Sequence, residues 1–465
     1  MLYAATLPPQ VAGVDGERRC EARELTLGMV AMRRDWSRLF GWAIGLVVIG
    51  FGVVGVGGIG CAEDDFERSP IHYSKSEPSN CISALQAKID SGEVKFQYDE
   101  KYGYLPSLLE ALEVKTDTQM LVFSKTSLQL QKISPRTPRA IYFNDNVYVG
   151  FCQQGDVLEI SAVDPKLGAV FYSLDQEPVE HPRMMRHTDN CLTCHSSSRT
   201  EGVPGHLARS VYPDARGLPL LSAGSHNVNY KTPIEKRWGG WYVTGKHGKQ
   251  THMGNVLVKG REVPDDFDFS SGSNINDLTP YFNPDRYLAP SSDIVALMVM
   301  EHQIVVHNML TKANFMTRQA LDYQAMMHES LGVPKDEMLD SVKSRIRSAG
   351  NDLTDALLMV EEARWTEPIE GNTSFTERFS SLGPQDSKGR SLRQFDLQTR
   401  LWKYPCSYLI YSDSFKALPP EMKLYVHGRF EQILGGEDHA EKYKHLTEAD
   451  RSAVREILAE THVWE

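Results

Sequence analysis

Cys191-Leu192-Thr193-Cys194-His195 is the stretch around which the chain divides, with short apolar runs ahead of it and long helical periodicity well behind it. Two thiols three positions apart are spaced to add across the two vinyl groups of a haem, and the adjacent histidine is placed to take the iron. That pattern implies covalent attachment of one c-type haem. With seven cysteines and 15 histidines in 465 residues, chance supplies on the order of 0.003 such pentapeptides.

Two other readings of the motif need features the chain lacks. A structural zinc site would need a second Cys-x-x-Cys to complete four sulfur ligands, and none follows. A thioredoxin-like pair opens a helix, for which Ser196-Ser197-Ser198-Arg199 is a poor start.

Working backwards, residues 120–174 alternate short apolar and aromatic runs with breaks such as Asn144-Asp145-Asn146 and Asp164-Pro165, the texture of antiparallel hairpins. Ahead of these, residues 81–89 have apolar positions at helical spacing behind Asn80 as N-cap, and a second short helix starts at Pro106. His181 and His187 read as loop histidines.

Forwards of the motif, residues 210–212 and 218–221 flank Pro213-Asp214-Ala215-Arg216-Gly217 as strand, turn and strand, and residues 241–243 and 256–258 form a second hairpin-like pair. Residues 264–290 are a turn-rich linker. From Ser292 as N-cap the periodicity is helical for about forty residues, to Gly332-Val333-Pro334. A further helix is expected over 336–364, and two more open at Pro419-Pro420 and at Thr447 with Asp450.

The fold class that follows is α+β: a β-rich N-terminal part, a haem segment of short helix plus hairpins, and a largely helical C-terminal half. The expected divisions are a tether with short helices at 61–118, the β-rich region at 119–175, the haem-binding region at 176–290 and the helical region at 291–465.

Residues 39–59 are uncharged over 21 positions, with Arg33, Arg34 and Arg38 before them and Glu63, Asp64 and Asp65 after. The basic flank keeps that side in the cytoplasm, so residues 32–60 read as a membrane anchor or signal segment and the bulk as extracytoplasmic, on a bacterial inner membrane facing the periplasm. Cys61, after Gly58-Ile59-Gly60, makes a lipoprotein signal the competing reading. Residues 1–31 are expected to lie outside the mature protein, with translation starting at Met29 or Met32. Cys81, Cys152 and Cys406 leave room for one disulfide and one thiol, or for three free thiols.

The net charge of -11 and the absence of a basic-aromatic stretch exclude nucleic acid as a partner and leave a redox partner protein of unspecified identity.

Three stretches carry a resemblance: residues 190–214, residues 237–245 with His252-Met253-Gly254-Asn255, and residues 402–412. Together they resemble the large single-haem cytochrome c domain proteins of planctomycete-type bacteria, over roughly residues 85–435. The resemblance implies haem binding and electron transfer, and it carries over Cys191 and Cys194 as thioether donors and His195 as proximal iron ligand.

What faces the iron opposite His195 decides between carrier and catalyst, because a second strong ligand makes an electron carrier and an open position makes a reactive iron. Met253 is the first candidate, 58 residues after His195 and next to Gly254. His252 is the second and His206 the third. His302 and His307 stand five apart on a helix and do not share a metal-binding face. Arg237 is the candidate for a haem propionate, with Trp238, Trp241 and Tyr242 beside it. The functions weighed are an electron-transfer cytochrome, a peroxidase-like or oxidase-like haem enzyme, and a haem-bearing sensor, for which no output signature is present.

Overall fold

Strand-forming runs from both sides of the motif join one sheet. The computed structural model describes residues 65–332 and 337–464; residues 1–31, the 39–59 span and Cys61 lie outside them. In chain order the strands are β1 (Met120–Val122), β2 (Arg139–Phe143), β3 (Val147–Phe151), β4 (Val157–Asp164), β5 (Gly168–Asp175), β6 (Met184–His187), β7 (Arg209–Val211), β8 (Ser225–Asn227) and β9 (Trp241–Tyr242). Seven of them pair antiparallel in the order β6-β5-β4-β3-β2-β1-β9, and β7 pairs with β8 separately.

The helices are α1 (Cys81–Asp90), α2 (Leu105–Ala111), α3 (Leu192–His195), α4 (Ile294–Leu331), α5 (Asp340–Leu357), α6 (Phe375–Ser380), α7 (Asp413–Lys416), α8 (Pro420–Leu434) and α9 (Glu448–Glu460). The protein is therefore α+β, with the antiparallel sheet ahead of a helical C-terminal half.

Period-2 alternation gives the large sheet two faces. Leu121, Tyr142, Val149, Leu158 and Ile160 point to one face and share a core with Leu85 of α1 and Leu105 of α2. Met120, Phe143, Tyr148 and Trp241 point to the other and share a second core with α4 and the C-terminal helices. On this second face the register puts Ser161 opposite both Tyr148 and Phe171, and Glu159 opposite both Gly150 and Ser173.

Helix α4 is the spine of the second core. Its stretch Ile294–Ser330 is long and apolar enough to cross a membrane by length and composition, and 89% of its most apolar window is buried inside the protein. Its opening run, residues 294–300, is apolar on all sides and suits such an interior. Asp293 caps it, its Oδ1 accepting from the Val295 N–H at 2.8 Å while Oδ2 accepts from Asn372 and Thr373. Ser292, expected as the cap, instead donates to the Tyr242 carbonyl at 2.6 Å and accepts from the Leu121 N–H at 3.0 Å, stitching the helix start to β1 and β9.

The capping residues Asn80 and Thr447 and the Gly332 stop stand as expected. Two hairpins differ. β7 pairs with β8 rather than with residues 218–221, which make only the Pro213–Pro219 bridge, because Pro219 has no N–H to extend a ladder. β9 pairs with the open edge of β1 rather than with residues 256–258, because the Asn255 side chain takes both the N–H and the carbonyl of Val243 and ends the strand there. The helix expected over 336–364 runs only over Asp340–Leu357, and α6 and α7 were not anticipated.

Candidate functional site

Edge strand β6 delivers the chain to the Cys191-x-x-Cys194-His195 turn. Cys191 caps α3, a single turn held by Cys194 N–H and His195 N–H donating to the Cys191 carbonyl at 3.3 and 3.1 Å. Positions i, i+3 and i+4 of a helical turn lie on one side, which groups both sulfurs with the imidazole. Leu192 is buried and pins the turn to the core, Cys191 is half-buried and Cys194 is exposed. Both thiols are free. Burial, helped by Glu159, Asp189 and Cys194, pushes the Cys191 thiol up to about 11, so it is protonated at neutral pH.

His195 is held by the residues that follow it. Its Nδ1 bonds the Gly205 carbonyl at 2.9 Å, and since a carbonyl only accepts, Nδ1 carries the proton. Nε2 then carries a lone pair and makes no hydrogen bond among the described residues. The Gly205 N–H in turn donates to the His195 carbonyl at 2.8 Å. The imidazole leans on Phe171 of β5 at 4.8 Å between ring centres, and burial holds its pKa below the ordinary histidine value.

Asn308 of α4 fixes the position of Gly205. Its Oδ1 accepts from the His206 N–H and its Nδ2 donates to the His206 carbonyl, both at 2.9 Å. A Cβ on Gly205 would run into this side-chain amide, so a glycine is needed for the approach. The His206 ring is enclosed between Tyr148, at 4.5 Å, and Phe171, and its Nε2 bonds Ser161 Oγ at 2.8 Å. Burial first, then His307 and His195, keeps it neutral.

Beneath the turn, on the same sheet face as Phe171, Arg139 and Glu159 form an ion pair at 2.8 Å. Ser127 and Gln129 also bond Glu159. Between them stands Leu128, 66% exposed, and on β6 Met185 is 53% exposed beside the motif. Apolar side chains left in water around a pair of free thiols suit a large apolar group laid against them.

The other candidates stand elsewhere. His195 packs on β5, whereas Met253 N–H bonds the Arg237 carbonyl and Asn255 N–H bonds Trp241 of β9. β5 and β9 are five spacings apart along the sheet, and Met253 is joined to Ser210 of β7. Met253 is 2% exposed and its sulfur accepts from Ser210 Oγ at 3.4 Å. His252 lies between Trp238 and His247, accepts from the Gly254 N–H at 2.9 Å on Nδ1, and is driven down to about 3 by burial.

Arg237 is buried and fully engaged. It pairs with Glu301 of α4 at 2.9 Å and donates to the Thr232 and Tyr230 carbonyls. Burial raises the Glu301 carboxyl and the guanidinium opposes that rise. His302 bonds Ser407 Oγ at 2.9 Å among Tyr230, Trp402 and Tyr408, deep in the second core. His307 is buried 6.2 Å from the His206 ring.

The structure thus brings Cys191, Cys194, His195 and His206 together and gives Met253, His252 and Arg237 partners of their own in Ser210, Gly254 and Glu301. Sequence reasoning missed Gly205, Phe171, Arg139, Glu159 and Asn308. Only Gly205, ten residues after His195 and next to a histidine already under consideration, offered a local signal, and its useful atom is a backbone carbonyl.

Among the described residues no group of three or more His, Cys, Asp or Glu side chains is arranged to hold a metal ion. A haem iron takes four ligands from the porphyrin and needs only one or two from protein. The two free thiols and the single neutral imidazole with a free Nε2 are a donor set that fits it. No family model matches the chain, and no match was found among curated proteins or solved structures.

Proposed function

We propose that the protein is an extracytoplasmic c-type cytochrome that holds one covalent haem through Cys191 and Cys194 and transfers electrons. The observation that carries this reading is the His195–Gly205 contact: a protonated Nδ1 fixed on a carbonyl leaves a neutral Nε2 beside two accessible thiols. When bound, the haem supplies one-electron chemistry. The chain's own residues orient it: Cys191 and Cys194 tether one edge, His195 supplies the axial nitrogen, and Gly205 with Asn308 fixes the plane of that imidazole.

Residues 39–59 anchor the protein in the inner membrane, or Cys61 does so as a lipidated residue, and the buried α4 is the core helix of the exported part. A redox partner protein exchanges the electron.

A second reading is favoured by one observation. Met253, His252 and His206 are each enclosed and engaged with other groups, so an iron on His195 with an open sixth position would make a peroxidase-like or oxidase-like enzyme.

The test is the spectrum of protein matured in a host that attaches c-type haem. Haem that stays with the polypeptide through acid-acetone extraction, and leaves in Cys191→Ala/Cys194→Ala, is the expected result. Haem extracted from the wild type would end the proposal. Low-spin iron indifferent to cyanide and peroxide selects the carrier, and high-spin iron that reacts with peroxide selects the enzyme.

A further inference from the structure

Arg209 opens β7, immediately behind the His206 loop, and its side chain is half-buried. Its Nη2 donates to Ser225 Oγ at 2.8 Å across the β7–β8 pair, and its backbone carbonyl accepts from Trp241 Nε1 at 2.8 Å. Its Nε is buried with no hydrogen-bond partner among the described residues. Burial first, then the charge of Arg199, lowers its pKa, and Cys194 of the haem motif acts in the opposite sense.

No carboxylate pairs with either arginine among the described residues. The acid closest in sequence to Arg199, Glu201, is taken by Lys312 at 3.1 Å. Two guanidiniums held near each other, one of them half out of water with an orphaned N–H, form an arrangement that costs free energy until an anion joins them. The matching anion is a planar carboxylate, which an arginine fork binds through two parallel hydrogen bonds. A haem tethered at Cys191 and Cys194 carries two such carboxylates. Arg237, by contrast, already has its carboxylate in Glu301.

We propose that Arg209, with Arg199 beside it, holds the propionates of the haem attached at Cys191 and Cys194. The proposal rests on the haem reading above. Arg209 is a positioning residue: it orients the macrocycle over the sheet face and adds a positive charge near the iron. That charge favours the ferrous over the ferric state and so raises the midpoint potential.

The test uses the full-length holoprotein with Arg209→Gln and Arg209→Lys, read by spectroelectrochemistry and by the propionate-bending bands in resonance Raman spectra. Arg209→Gln is expected to lower the midpoint potential and shift those bands, and Arg209→Lys to recover most of the potential but not the bidentate geometry. Among the described residues the side chain's only hydrogen bond is to Ser225, so the circular-dichroism melt of both variants should match the wild type. Unchanged potential and bands in Arg209→Gln, with haem still covalently held, would overturn the role of Arg209 and leave the haem reading standing. Haem extracted from the wild type by acid-acetone would overturn both.

Discussion

His195 and Gly205 bond each other twice, the Gly205 carbonyl accepting from the ring Nδ1 at 2.9 Å and the Gly205 N–H donating to the His195 carbonyl at 2.8 Å. The closed ten-residue loop turns a backbone carbonyl into the partner that sets the tautomer of the imidazole. Loop position is in turn set by Asn308, which reaches it from α4. The geometry of the motif therefore depends on a helix that begins about a hundred residues later in the chain.

Asn308→Ala should strip both partners from the buried His206 backbone. A loss of about 1–3 kcal/mol per group left unsatisfied is expected, together with a change in the axial-ligand region of the haem spectrum. Equilibrium denaturation and near-infrared magnetic circular dichroism would check it, and a wild-type spectrum in this variant would mean that the loop does not control His195.

Met253→Ala should cost about 2–5 kcal/mol, as for other buried methionines, and leave the iron spin state as it is. The reason is its enclosure with Ser210 at the β9 end of the sheet. A switch to high spin would instead make Met253 the distal ligand.

Arg237→Met should destabilise by about 3–5 kcal/mol, because Glu301 loses its buried partner and must either stay charged in the core or take up a proton. Adding Glu301→Leu should restore most of that loss. Urea titration of the two single variants and the double gives the coupling, and additive losses would argue against a paired role.

The contribution of Glu362 to stability should fall between about pH 4.5 and pH 7, against the rise that the buried histidines give over the same range. Burial pushes Glu362 from 4.5 up to about 7; among the described residues only the Leu401 N–H bonds it, and its second oxygen is buried without a partner there. A raised folded-state pKa means the folded protein binds the extra proton, so the contribution is complete below the unfolded value and is lost as pH rises through the folded one. Glu362→Gln should remove that falling contribution and make the slope of the thermal midpoint against pH more positive across the window, and an unaltered slope would show that Glu362 does not titrate there.

Local signals read correctly where a few neighbouring residues decide the outcome. The capping boxes at Asn80 and Thr447, the glycine stop of α4 and the Asn144–Asn146 turn are satisfied by atoms within three or four positions. Pairing failed where competition was non-local. Nothing within residues 241–258 announces that β1 would offer β9 a free edge, or that the Asn255 side chain would close off Val243.

The sequence alone determined the Cys-x-x-Cys-His pattern, the α+β class and the placing of the main sheet ahead of the helical C-terminal half, because each rests on spacing or periodicity along the chain. The tertiary structure decided the surroundings of the motif. It brought Gly205, Phe171 and Asn308 to His195, and it engaged Met253 with Ser210, His252 with Gly254 and Arg237 with Glu301. The physical reason is that a distal ligand or a propionate partner is chosen by proximity in space and by which buried groups are already satisfied. The 58 residues between His195 and Met253 fix neither, whereas Glu301 on Arg237 and Ser210 on Met253 fix both.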